Sequence, residues 1–298
     1  MPSIPLAVDG ELTTPHCMMD TSSRTGKFLH PRRMFELFKY TVYALLTWNA
    51  VLFFHDDFAA SALTFSEGID WRNVVEAFSA TIDTTAWIVL LLLFELETAV
   101  ISDDKLQGGL KWLLMLVRTL SYFFIVYAFY GYCAKYFVVT DLLPFSVADP
   151  CSLVGAGWNY VASLDDYPVL DATACQALQG KDLFLISGTQ IIGTAEALRS
   201  TLQLALIDIV NAATWLIIVV LLEVEVWMQL KDLLTERLLR VAKFVKGFFY
   251  LMLFVCAALW GLEGSFLDFW DAFLWLVAFI FIEMNIFQWH EETEEAGA

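Results

Sequence analysis

Five glutamates, Glu95, Glu97, Glu223, Glu225 and Glu283, sit inside long apolar runs of a 298-residue chain. An ionised carboxylate at membrane depth costs at least a few kcal/mol unless water, a cation or a basic side chain meets it. Acids in such runs therefore bind protons or cations, or tie helices together. Their spacing is regular. Trp87–Glu97 reads WIVLLLLFELE, Trp215–Glu225 reads WLIIVVLLEVE and Trp275–Asn285 reads WLVAFIFIEMN. Asp83, Asn211 or Asp271 stands four residues before each Trp, so the shared pattern is [DN]-x3-W-x7-E-x-[EN]. A second pattern, [KR]-x3-Y, recurs at Lys39–Tyr43, Arg118–Tyr122 and Lys246–Tyr250.

The two acids of a pair do different work, because residues i and i+2 point about 200° apart on a helix. Asp83, Trp87 and Glu97 share one stripe, as do Asn211, Trp215 and Glu225, and Asp271, Trp275 and Asn285. Glu95, Glu223 and Glu283 point away from it. Glu97, Glu225 and Asn285 are the candidate ion-binding or pore residues. Two carboxylates and an amide suit a hydrated or partly dehydrated cation. Glu95, Glu223 and Glu283 are candidates for ion pairs with Lys39, Arg118 and Lys246, whose long side chains can bend or snorkel toward them, or for proton exchange. The outer ends of the stripes, Asp83, Asn211 and Asp271 with Trp87, Trp215 and Trp275, also suit plain helix caps and interface aromatics. His55, Asp56 and Asp57 form a weak candidate for a divalent metal.

The elements that hold these residues follow from hydropathy. Apolar runs of about 18–20 residues read as spanning helices, and six occur, over 37–55, 84–102, 112–134, 209–229, 245–263 and 271–289. The Tyr-to-Trp separations are 44, 93 and 25 residues, so the loops vary while the register within each helix does not. The expected fold is an all-α polytopic membrane protein. Its six helices form three repeated hairpins, 36–104, 112–230 and 243–290, related by a pseudo-threefold axis. Residues 1–35 form a polar N-terminal tail without an apolar run, which makes the first span an uncleaved signal-anchor. Residues 291–298 form an acidic tail.

Lysine and arginine orient the chain. Thirteen of the seventeen fall on inner segments when both termini are cytosolic, and four fall outside, as the positive-inside rule requires. The net charge of −17 then divides unevenly, with the outer side near −13 and the inner side close to neutral. An acidic outer face concentrates cations at an entrance and also keeps the exterior soluble. Cys151 and Cys175 lie in the outer loop 139–195, where an oxidising compartment favours a disulfide clamp.

With 59% hydrophobic and 17% charged residues, against about 45–50% and about 25% in soluble domains, the composition excludes an ordinary soluble enzyme, a disordered chain and a coiled coil. The acidic balance excludes generic nucleic-acid binding. There is no H-E-x-x-H, G-x-S-x-G, P-loop or CxxC, so neither catalysis nor a cofactor is expected. The expected function is a cation channel or transporter using intramembrane carboxylates, with lipid and an inorganic cation or proton as partners. The alternatives are a structural subunit of a homo-oligomer or larger membrane complex, and a sensor with an outer ligand cap.

Overall fold

The computed structural model describes residues 31–65, 68–71, 73–97, 108–231 and 235–279. Helix α1 (Pro31–Thr64) leads through the short α2 (Val74–Ala77) into α3 (Ser79–Glu95), and α4 (Gly109–Thr140) returns beside it. A small domain follows, then α6 (Ala195–Leu230) and α7 (Glu236–Glu263). A last helical segment, α8, covers 266–279. The protein is a mostly helical membrane protein. Four of the described helices are long and apolar enough to cross a bilayer, over Arg33–Thr64, Gly109–Thr140, Ala195–Glu225 and Arg240–Glu263.

Local chemistry sets the helix ends. Thr235 caps α7 by accepting from the Leu238 amide, and Gly264, at φ 86°, closes it in the left-handed conformation that glycine adopts without a steric penalty. Gly131 of α4 has a different task. A Cβ there would lie 2.4 Å from the Val75 carbonyl oxygen, so only glycine lets α2 lie across α4.

The expectation of an all-α chain needs one correction. Between α4 and α6 the loop 139–195 folds into a cap with a four-stranded sheet: β1 (Leu142–Phe145), β2 (Asn159–Tyr160), β3 (Leu183–Ile186) and β4 (Ile191–Thr194), in the order β1-β3-β4-β2. β1 and β4 run antiparallel to β3, whereas β2 runs parallel to β4. These strands are two to four residues long, too short to display the alternation that marks a strand in sequence. Helix α5 (Ala172–Leu178) is capped by Asp171, which accepts from the Thr173 and Ala174 amides. The Cys151–Cys175 disulfide joins α5 to the turn at 150–153.

The cap is attached rigidly. One residue separates α4 from β1, and none separates β4 from α6. Ala60 of α1 and Leu198 of α6 pack with Val161, Tyr167, Ile186 and Ile191 of the cap. Away from the cap, one core draws on all six long helices, including Leu46 of α1, Leu91 of α3, Ile125 of α4, Ile218 of α6, Leu253 of α7 and Ala278 of α8. In a bilayer such a core gains little from the hydrophobic effect, so close packing and polar ties must hold the helices together.

Removing the disulfide tests the independence of the cap. The bridge closes a sequence separation of 24 residues, worth about 3 kcal/mol by loop-closure entropy. Cys151→Ser/Cys175→Ser should expose the cap to limited proteolysis while the helical circular dichroism of the bundle is retained. Loss of both signals together would mean that the two parts fold as one.

Candidate functional site

The three tryptophans of the repeated pattern meet at the centre of the bundle. The Trp87 ring centroid lies 5.8 Å from that of Trp215 and 6.3 Å from that of Trp275, and Phe279 packs 4.5 Å from Trp215. All four rings are buried. Tilted and edge-on aromatic contacts of this kind are each worth about 0.5–1.5 kcal/mol beyond area burial. The register legible in the sequence thus produces a three-way aromatic junction.

One helical turn toward the cap stand the polar residues of the same pattern. Trp87 Nε1 donates to Asp83 Oδ1 at 3.0 Å, which explains the four-residue spacing, since i and i+4 are neighbours on a helix. Tyr132 also donates to Asp83, at 3.3 Å. Asp271 accepts from Asn49 Nδ2 at 2.9 Å. Asn211 differs, because its Oδ1 is buried and has no hydrogen-bond partner among the described residues.

Above the tryptophans opens a cavity of about 540 Å³. Its lining includes Asp56 and Asp57 of α1, Asp83 of α3, Asp165 and Asp166 of the cap, Asp208 of α6, and Asp268 and Asp271 of α8. Among the described lining residues, Lys135 is the single Lys or Arg. Lys135 Nζ lies 2.8 Å from Asp165 and 3.7 Å from Asp57, so it joins the cap to α1. Asp165 takes a left-handed backbone (φ 62°) to meet it, a conformation that Asp tolerates better than most residues. Asp83, Asp271, Asp208 and Asp268 have neutral donors. Trp260 Nε1 donates to Asp208 at 3.1 Å, and the Ser265 hydroxyl donates to Asp268. Burial lifts the Asp268 carboxyl, on the cap side of the 271–289 run, to about 6, against the opposing effect of the Ser265 hydrogen bond.

The H-D-D run at 55–57 is split by the helix. Asp57 turns inward to Lys135 and accepts from the Thr81 amide and hydroxyl, while the His55 and Asp56 side chains stay exposed. Neighbouring helical residues point about 100° apart, so the three do not converge. Among the described residues no group of three His, Cys, Asp or Glu side chains stands close enough to hold a metal ion.

Glu95, Glu97, Glu223 and Glu225 occupy the opposite end of the bundle, and the acids of each pair reach different neighbours. Glu95 accepts from Lys39 Nζ at 2.5 Å, with both side chains buried, and from the Tyr40 and Tyr43 hydroxyls at 3.2 and 3.4 Å. Its counterpart Glu223 accepts from Tyr122, the residue equivalent to Tyr43, at 2.8 Å. Glu97 is bound by Arg118. Glu225 is bound by Lys246 at 2.6 Å. Each of these last two bases lies on the long helix that follows its acid along the chain, Arg118 on α4 and Lys246 on α7. Arg118 and Lys246 thus hold Glu97 and Glu225, where the sequence suggested Glu223 and Glu283, and among the described residues Lys39 meets Glu95 as the sequence suggested. Glu283 and Asn285 lie outside the described residues.

The sequence reading missed Lys135, Asp208, Asp268 and Trp260. Asp208 and Asp268 lie on helical stretches preceding the apolar runs, where an acid looks like an ordinary solvated residue. Comparison with known protein families, curated proteins and solved structures finds no match to this chain.

The Lys39–Glu95 pair can be probed directly. Removing one partner of a buried pair costs about 3–5 kcal/mol, whereas replacing both with apolar residues is often neutral. Lys39→Met should therefore destabilise the protein strongly in thermal unfolding in detergent, and Lys39→Met/Glu95→Met should recover most of the loss. A double variant as unstable as the single one would show that Glu95 is held by Tyr40 and Tyr43 rather than by the lysine.

Proposed function

We propose that this protein is a cation channel or transporter with six spanning helices in three pseudo-threefold hairpins, both termini cytosolic and the cap outside. The observation that carries the reading is the charge imbalance of the cavity: eight aspartates against one lysine in the described lining. Desolvated carboxylates that meet only neutral donors remain electrostatically unsatisfied. A cation entering from outside supplies the missing charge, and an acidic cleft raises its local concentration. The protein does no covalent chemistry in this reading. Its partners are lipid and an inorganic cation or proton.

The tryptophan junction is then the barrier beneath the vestibule. Beyond it the path runs to Glu97, Glu225 and Asn285, with Arg118 and Lys246 as the inner closure. Release of those two bases would expose two carboxylates to the passing ion, so the same groups would close the path at rest and solvate the cation in transit. Glu95, held by Lys39, and Glu223, held by Tyr122, stay outside the path as positioning residues or proton acceptors.

A second reading, an assembly subunit, is favoured by one observation. Glu223 is exposed in an apolar groove with Tyr122, Val220 and Trp227, where a partner helix carrying a base would satisfy it. Glu223→Gln should leave flux in liposomes unchanged in the transport reading and should dissociate a native complex in the assembly reading.

Two measurements test the transport reading. Asp83→Asn/Asp271→Asn should lower cation flux into liposomes at least tenfold, and Glu97→Gln/Glu225→Gln should change it in either direction. Unchanged flux in both, with folding intact, would sink the proposal. The pH dependence has a definite sign. Burial holds the Asp268 carboxyl above the usual carboxylate range, so it takes up a proton as pH falls and cation binding should weaken from pH 7 to 5. Asp268→Asn should flatten that part of the profile.

A further inference from the structure

The vestibule holds one atom whose chemistry narrows the ligand. Asn211 lines the cavity, and its Oδ1 is buried with no hydrogen-bond donor among the described residues. Its counterparts in the repeat are served: Asp83 accepts from Trp87 and Tyr132, and Asp271 from Asn49. A buried acceptor left empty is costly, so an occupant that brings an N–H or O–H gains more here than one that cannot.

Two further features point the same way. A bare metal ion needs several oxygens converging at bonding distance, and no group of three candidate ligands does so among the described residues. The space of about 540 Å³ falls within the range of small-molecule sites, about 300–1,000 Å³. Its floor is made of the Trp87, Trp215 and Trp275 indoles. Indole is the best ring for attracting a cation through its face. Where Trp87 donates its N–H to a carboxylate, that face becomes richer in electrons.

We infer that the vestibule binds a small organic primary ammonium ion, with its N–H groups shared between Asn211 Oδ1 and the Asp83 and Asp271 carboxylates and its carbon chain lying on the tryptophan floor. This rests on the cation-handling reading and specifies the cation. The rim acids Asp56 and Asp166 draw the ion in. A quaternary ammonium fits the charge and the indoles but leaves Asn211 without a donor.

The test titrates the full chain in lipid nanodiscs with propylammonium chloride, tetramethylammonium chloride, potassium chloride and calcium chloride, following tryptophan fluorescence and binding heat. Propylammonium should bind at least tenfold more tightly than tetramethylammonium, potassium or calcium. In Asn211→Leu the preference for propylammonium over tetramethylammonium should collapse toward one. Asn211→Asp, of similar size and with one more charge, should retain that preference. If potassium or calcium binds as tightly as propylammonium, or if Asn211→Leu keeps the preference, the amine inference fails while the cation vestibule stands. If no cation binds, both fail.

Discussion

A carboxylate held away from water must be given a partner, and this constraint organises both ends of the bundle. At the end away from the cap the partners are bases and phenols. Lys39, Arg118 and Lys246 bind Glu95, Glu97 and Glu225, while Tyr43 and Tyr122 serve Glu95 and Glu223. In a bilayer these ties substitute for the hydrophobic drive that would hold a soluble bundle. Two of them, Arg118–Glu97 and Lys246–Glu225, join consecutive long helical segments, so they fasten helices together as well as neutralising charge. At the cap end the partners are mostly neutral donors, and Lys135 is the exception. Carboxylates thus meet bases at one end, Glu223 excepted, and mostly neutral donors at the other.

The tryptophan junction separates these two electrostatic regimes. Its rings fill the axis of the bundle, and Trp87 also turns its N–H edge toward the Asp83 carboxylate one turn away. One side chain therefore packs the core, stabilises the acid above it and forms the floor of the cavity. The cap completes the site from the other side. It delivers Asp165 and Asp166 from a tight turn fixed by the disulfide-bearing domain, and Lys135 ties that turn to α1. Because α4 and α6 run almost directly into the cap strands, a shift of either helix must move those two aspartates.

Much of this was legible in the residues. The spacing of Trp87, Trp215 and Trp275 revealed a shared register, and the two outer-loop cysteines revealed their bridge. The split between Glu95 and Glu97 follows from helical geometry alone. What the residues did not disclose was how each helix is rotated against its neighbours. Arg118 therefore meets Glu97 rather than Glu223, and Lys246 meets Glu225. The cap sheet escaped notice because its strands are shorter than the period that reveals a strand. Lys135 escaped because a lone basic residue near a helix end resembles an interface anchor, and only the fold brings Asp57 and Asp165 to it.

One asymmetry follows from a single residue type. In the crossing ties, the base of each hairpin binds the second acid of the hairpin before it, as Arg118 binds Glu97 and Lys246 binds Glu225. Under the proposed threefold relation the base of the first hairpin, Lys39, would meet the second polar residue of the third, which is Asn285. An amide offers no charge, and a buried ammonium cannot remain uncompensated. Lys39 instead turns to Glu95 within its own hairpin, where Tyr40 and Tyr43 complete the site. In the proposed threefold arrangement the series of ties among the described residues is therefore interrupted between the first and third units. Among the described residues no ion pair of this series joins the first of these units to the third, whereas Arg118–Glu97 joins the first to the second and Lys246–Glu225 the second to the third. If the bundle opens by separating these units, the described ion pairs oppose it least between the first and the third.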